Sequence, residues 1–486
     1  MFVYSLTDNT SFHLQADYKN RHGLNDESIE HLYVDREQGL WISTFYGGVN
    51  YLSPTSGNFQ RHEDINSLVN GHVISSISED GQGNVWMGIE DNGVCLWNRR
   101  EQALTNYGKN TEGAFRPSAD NVQAILWDDG MLYIGLSGKG MDIVNPTTGS
   151  LRNYQSNSFG PHTFDNHVYA FWKDRKKVLW IGTSRGLFLL DIRTESIRPV
   201  KEITDTKVNC ITEGTGGDVW ISTLGKGVFR YKTQTGQWKQ YAHLQPDSSV
   251  RYPNHITTLA AEAQDLYVGT QGNGLWEYNA RTDRFSPIAV PELEGKYIFR
   301  ILPHGQNLWI TTNKGLFCYT PASQTLRHYT SEDGLRSNQF KVNSGLQTKD
   351  GLFIVGGVNG LNAFYESDLR TNGIVPNVAC THLYLRNRPT DPHTDGSPLK
   401  ESITHTRHLT LRQSDLQFAI RFATLSYSNT AKNKIRYRLE PFEKEWQPAN
   451  EANTAVYTNL PAGDYVFHLQ GSNGNGLWGA ERTLAR

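Results

Sequence analysis

Four basic residues, Lys139, Arg185, Lys226 and Lys314, each stand immediately before a glycine, in the stretches SGKGM, TSRGLF, LGKGVF and TNKGLF. Cationic groups set side by side hold carboxylate or sulfate through charge-assisted hydrogen bonds, and an arginine does so with a two-pronged fork. A second set, His72, Asn121, His167 and His255, comes just before short apolar runs, with Tyr169 and Trp172 close behind. Such residues offer hydrogen bonds and ring faces to a sugar. Arg300 and His31 interrupt apolar runs at a position that is usually small, as in Ser76, Ala124, Ala170, Cys210 and Thr258. Each type also has a plainer use. Asn-Gly and Lys-Gly are turn dipeptides, a histidine or asparagine caps a strand start, and an aromatic packs.

Other chemistries find less support. A lyase or glycosidase needs a clustered acid and base, or a metal held by histidines. The acids that recur, Asp35, Asp80 and Asp174, precede an aromatic strand as turn formers, and no paired carboxylates recur beside the histidines. The four cysteines, Cys95, Cys210, Cys318 and Cys380, are far apart with no C-x-x-C, so neither a zinc site nor a dense disulfide framework is expected. No metal and no cofactor are expected.

The elements that must position these residues repeat along the chain. The stretch LWIGTSRGLFLLD at Leu179 has relatives at Leu40, Val85, Leu132, Val219, Leu266, Leu308 and Leu352, spaced by about 45 residues. Their leading aromatics are Trp41, Trp86, Tyr133, Trp180, Trp220, Tyr267, Trp309 and Phe353. Each unit reads as an apolar inner strand, a turn, the aromatic strand, a tight glycine turn, a third strand and a polar return. Short alternating runs bounded by Gly, Asn and Asp are strand and hairpin grammar. A period near 45 without helical pattern predicts four-stranded propeller blades. In such blades the turn between second and third strands opens on the face that carries the blade-to-blade connections. Lys139, Arg185 and Lys226 come from consecutive units, which places them along one arc of the channel mouth.

Composition sets outer limits. With 486 residues and 37% hydrophobic content the chain holds more than one domain, and a net charge of −2 argues against a nucleic-acid-coating surface. No run of 18 apolar residues is present, so no membrane span is expected. The opening MFVYSLTDNTSFHLQADY matches the third and fourth strands of a blade, so the chain reads as starting inside a repeat. After Phe364 the repeat gives way to about 110 residues of alternating strands and turns, the pattern of a small immunoglobulin- or fibronectin-like sandwich.

WIGTSRGLFLLD and its relatives resemble the regulator-propeller repeat, and the tail resembles the triple-tyrosine domain that follows it. The marks of that tail are Tyr437 in RYRL, Trp446, Tyr457, the LPAGDY turn with Tyr465, and GNGLW ending at Trp478. The order of parts resembles the extracytoplasmic sensor region of hybrid two-component regulators, which bacteria of the Bacteroides group use to detect glycan fragments. The resemblance implies an all-β chain: remnant blades over 1–65, a seven-bladed propeller over 66–370 led by Trp86 through Phe353, and the sandwich over 371–486. It implies a periplasmic location and an oligosaccharide ligand, with an anionic one expected from the cationic arc. It further implies a homodimer in the full-length receptor, with membrane helix and histidine kinase outside this stretch, so the chain reads as a fragment that binds rather than catalyses. The alternatives are the propeller lyase or glycosidase and a protein-interaction scaffold of the WD-repeat kind. The sandwich aromatics Tyr437, Tyr457, Tyr465 and Trp446 are expected to be packing residues.

Overall fold

The aromatic strands are the most buried elements of the protein. Trp86, Tyr133, Trp180, Trp220, Tyr267, Trp309 and Phe353 are all buried. A strand covered by a neighbouring sheet on each face reads as a continuous apolar run, and VWMGI and LYIGL read that way. The computed structural model describes residues 2–4, 11–13, 15–16, 23–55, 58–59, 72–108, 113–156, 164–242, 253–262, 265–412, 415 and 417–485. It divides into two compact units, Phe59–Leu369 and Met1–Asn58 with Arg370–Arg486. The expected boundary at 65–66 falls outside the described residues.

The first unit is the propeller. Seven antiparallel sheets follow in order, with inner strands Ile74–Glu79, Val122–Asp128, Val168–Lys173, Lys207–Glu213, Ile256–Glu262, Glu294–His304 and Phe340–Gln347. These are blades 1 to 7. Each inner strand lies beside the next, and that of blade 7 lies beside that of blade 1, so the ring is closed. Blades 1 to 6 have four strands, and blade 7 has three among the described residues. Phe59 packs edge-on against Tyr329 and Phe364 at 5.4 and 5.2 Å, bringing residue 59 onto the last two blades. On the outer rim, Arg99 after the third strand of blade 1 grips Asp350 of blade 7 with a fork of 3.0 and 2.6 Å. That guanidinium holds the Asp350 carboxyl far below the usual range.

The glycine of the aromatic strand makes neighbouring blades fit. A Cβ on Gly182 would lie 2.7 Å from Val208 Cγ1 of the next blade, and one on Gly88 2.6 Å from Val122 Cγ1. At the closure, a Cβ on Gly356 would lie 2.8 Å from Ile74 Cγ2. Ala124, Ala170 and Thr258 sit directly opposite Gly135, Gly182 and Gly269. The small inner-strand residues therefore lie beside the glycines that admit the next blade. Gly182→Ala is expected to cost about 1–3 kcal/mol, because a methyl there overpacks a closed interface. Urea unfolding checks it, and an unchanged midpoint would show that the blades can part at no cost.

A polar clasp joins the rims of blades 4 and 5. Arg230 donates to Asp218 at 2.6 Å and to the Tyr278 hydroxyl at 2.7 Å. Asp283 accepts from Tyr241, Tyr278 and Lys239. Burial raises the Asp283 carboxyl, but hydrogen bonds from Lys239, Tyr241 and Tyr278 outweigh it and leave it at about 2, against 3.8 for a free carboxyl. A depressed carboxyl contributes stability above its unfolded value and loses it as pH falls through the folded one. Asp283→Asn should therefore be less stable than the parent at about pH 6, the gap closing between about pH 4 and 2; acid titration of the unfolding midpoint measures it. A gap constant over that range would remove the charge from the account.

In the second unit, Phe2–Tyr4 pairs antiparallel with Ser11–His13. A three-stranded blade follows, Ile29–Val34, Leu40–Thr44 and Gly48–Leu52. This blade, led by Trp41, is not one of the seven blades of the ring, and it packs on the sandwich. The Glu37 carboxylate, buried, accepts from the Tyr427 amide at 3.0 Å and the Ser428 hydroxyl at 3.2 Å. Trp41 meets Tyr427 edge-on at 5.0 Å, and Arg36 donates to the Val375 carbonyl at 2.8 Å. The sandwich pairs two four-stranded sheets, with core residues Cys380, Leu383, Phe422, Ile435, Leu439, Phe467 and Leu469 between them.

Candidate functional site

Every inner strand of the ring carries a register shift near its start. In blades 1 to 6 one residue is skipped, and these are Ser75, Gln123, Tyr169, Asn209, Thr257 and Phe299. Blade 7 has a longer bulge between Phe340 and Gly345. A bulge takes a residue out of the ladder and re-aims its side chain. Where that residue is small and polar it ties blades together: Ser75 Oγ donates to the Val122 carbonyl at 2.6 Å, Asn209 Nδ2 to that of Ile256 at 2.8 Å, and Thr257 Oγ1 to that of Ile298. Gln123 and Tyr169 instead face a polar cluster at the mouth of the channel.

That cluster draws on five blades, 1, 2, 3, 4 and 7. Lys207 places its ammonium 3.5 Å from the centroid of the Tyr169 ring. Lys341 pairs with Glu90 at 2.6 Å, and Gln123 donates to the same carboxylate at 3.1 Å and to Asn121 Oδ1 at 2.6 Å. Asn121 in turn donates to Asp91 at 2.7 Å. Burial pushes the Lys207 amine down to about 8, the charge of Lys341 adds to this, and Glu90 opposes it. Burial also raises the Tyr169 phenol, with Asp165 and Glu90 adding to it. Within the channel, Arg300 reaches from blade 6 to the Gly345 carbonyl at 3.2 Å and toward Cys210 Sγ at 4.0 Å on blade 4. Asn343 of blade 7 crosses to the Asn209 carbonyl beside it. Among the described residues no carboxylate lies within 4 Å of the charged nitrogens of Lys207 or Arg300.

The turn residues sit on this same face but have other partners. The Gly140 amide donates to the Asn166 carbonyl at 2.8 Å and Gly227 to that of Asn254 at 3.1 Å, tying the second turn of a blade to the connection that follows. Gly140 has φ +70°, and a Cβ there would lie 2.0 Å from the Tyr154 carbonyl oxygen. The carbonyls of Lys139, Lys226 and Lys314 accept from Asn153, Gln240 and His328 of the outer strands, so these positions serve the hairpin through their backbone. The side chains of Lys139, Arg185 and Lys314 are exposed, and Lys226 donates to the Thr204 carbonyl at 2.8 Å. Asp165 receives the Arg185 amide at 3.0 Å and lies 3.6 Å from His167. His72 is half-buried ahead of blade 1, and His255 is exposed and bridged to Leu224. Trp172 pairs with Trp180 across the strand, ring on edge at 5.8 Å, as a packing residue away from the mouth.

The structure thus brings together Asn121 and Tyr169 with five residues the sequence did not single out, Lys207, Lys341, Glu90, Gln123 and Asp91, while Arg300 turns to Gly345 and Cys210 within the channel. Lys207 stands in TKVNCIT at the same register as His167 in NHVYAF and His255 in NHITTL. Aligning the repeats column by column marks it. Glu90 and Lys341 gave no such signal, since their pairing depends on ring closure. Among the described residues no three His, Cys, Asp or Glu gather as a metal site, and no helix is long and apolar enough to cross a membrane.

Comparison with known proteins adds to this geometry. Residues 426–485 match the model of the Y_Y_Y domain family. Over 96% of its length the chain is 23% identical to histidine kinase P4 of Formosa agariphila, and covers 35% of that protein. The extracellular domain of the hybrid two-component system BT3049 of Bacteroides thetaiotaomicron matches with a TM-score of 0.77 at 23% identity, over 97% of this chain and 62% of that one. That of BT4673 from the same organism matches with a TM-score of 0.54 at 20% identity, over 100% of this chain and 66% of that one. The chain therefore spans about a third of the curated relative, and it shares the fold of these extracellular domains.

Within the matched segment 426–485 the marker aromatics divide in two. Tyr457 is buried in the core, and its hydroxyl donates to Glu443 at 3.1 Å. Tyr437 and Tyr465 are half-buried against that core, Tyr465 donating to the Pro461 carbonyl four residues back at 2.8 Å. Trp446 lies outside the core, contrary to the packing role expected for it. The Arg436 guanidinium is held between Trp446 at 4.7 Å and Trp478 at 4.4 Å, a cation–π stack at the surface.

Proposed function

We propose that this chain is the extracytoplasmic ligand-sensing part of a hybrid two-component regulator in the periplasm, and that its ligand is a glycan-derived oligosaccharide. The observation that carries the reading is one likeness running through propeller and sandwich together to the extracellular domain of a two-component system. The mouth supports a binding role. Side chains from blades 1, 2, 3, 4 and 7 converge there from bulges, strand starts and the turn after Val85–Ile89. Tyr169 offers a ring, Gln123 and Asn121 offer amide groups, and Lys207 a charge, the mixture that hydroxyl-rich ligands use. The sandwich would pass the signal toward a membrane helix and a histidine kinase beyond this stretch, in a homodimer. Calorimetric titration with a panel of plant, host and algal oligosaccharides tests it. Saturable binding that Tyr169→Ala weakens about tenfold or more is the expected result, and uniform failure across the panel would return weight to a protein-interaction scaffold.

A further inference from the structure

We propose that the channel mouth receives an acidic group of the ligand, a carboxylate or a sulfate, against Lys207 and Lys341. The inference rests on the sensor reading above and names the chemical class of its ligand. Its ground is an imbalance of charge. Lys207, Lys341 and Arg300 bring three cations to the mouth and channel, while Glu90 and Asp91 are the two carboxylates that the cluster's hydrogen bonds engage. Lys341 and Gln123 already occupy Glu90. Lys207 has the Tyr169 face and no carboxylate within 4 Å among the described residues. A half-buried ammonium with no carboxylate in direct contact is costly, and the neighbouring Lys341 cation makes it more so while Glu90 offsets it only in part. An arriving anion removes both penalties at once. The selectivity follows from what the mouth already contains, since a neutral sugar would leave the imbalance as it was.

The groups that bear on Lys207 are identifiable. Tyr169 lies beneath it with Asp165 behind, Lys341 and Glu90 stand on blades 7 and 1, and His255 is bridged to Leu224, the cross-strand partner of Lys207. The Lys207 amine, lowered by burial and by Lys341 to about 8, loses its charge as pH rises through that value, so the hold on an anion weakens between about pH 7 and 9. The direction is therefore set by the amine.

The test compares a uronic-acid oligosaccharide with its carboxyl-reduced, neutral counterpart on the whole chain, and uses inorganic sulfate as a minimal probe. Lys207→Met keeps the apolar stem that packs on Tyr169 and removes the charge; Lys341→Met serves as a second variant. The expected result is binding of the acidic form at least tenfold tighter than the reduced form, falling about tenfold in Lys207→Met and declining from pH 7 to 9. At fixed ionic strength, sulfate should raise the unfolding temperature of the parent more than that of Lys207→Met, a difference that cancels the general stabilisation sulfate gives any protein. Equal binding of acidic and reduced forms, indifferent to Lys207, overturns the anion site and leaves the sensor reading standing. Lys207-dependent sulfate binding with no oligosaccharide bound does the reverse. Neither oligosaccharide nor sulfate bound overturns both.

Discussion

Trp309→Ala is expected to lower the stability of the propeller by about 3–5 kcal/mol, the range for removing a fully buried large aromatic. Trp309 has no exposed surface. Its ring lies 4.9 Å from Phe364, 5.6 Å from Phe353 and 5.8 Å from Tyr329, and its indole nitrogen donates to Glu366 at 3.1 Å. The same cluster holds Phe59, so the substitution empties the point where residue 59 joins blades 6 and 7. Collapse of the surroundings is limited, because the neighbours are themselves large rings stacked on one another. Urea unfolding followed by circular dichroism measures the loss. Trp309→Phe should recover a large part of it, and a loss below about 1 kcal/mol for the alanine variant would mean that ring closure draws its strength from elsewhere.

Tyr457→Ala should cost the sandwich about 3–5 kcal/mol on the same physical ground. Its ring meets Phe418 at 5.3 Å and Phe442 at 6.3 Å, and burial drives its phenol well above the usual range, with the Glu443 charge adding to this. Tyr457→Phe separates the two contributions. It keeps the ring and removes one donor from a carboxylate that still accepts the Leu439 amide at 2.7 Å, so a loss of about 1–3 kcal/mol is expected. Matching losses for the two variants would show that the hydroxyl, not the ring, carries the stability.

The architecture was legible because its causes are local. A strand buried on both faces writes itself as an apolar run, and the small residue that admits the next blade recurs at a fixed place in each unit. The site was less legible, because the ring and not the repeat creates it. Glu90 and Lys341 lie 251 positions apart and meet only since blade 7 returns to blade 1. The turn cations drew attention as charged residues beside glycine, yet the lysines with neighbours to answer are one step nearer the axis, at strand starts. Trp446 misled for a related reason. Composition cannot tell a core ring from one that stacks on a guanidinium in the light of solvent, and Arg436 decides that case.

The repeated bulge separates two kinds of constraint within a single strand. Residues in the ladder must satisfy a neighbour's shape, and across the blades they are held to a narrow range of sizes. The skipped residue answers to no ladder partner, and in this one chain it is already Ser75, Gln123, Tyr169, Asn209, Thr257 and Phe299. Ser75, Asn209 and Thr257 still tie blade to blade, but at Gln123 and Tyr169 the mouth can be re-lettered one side chain at a time while the framework stays fixed, so a change of ligand there need not pass through an unstable intermediate.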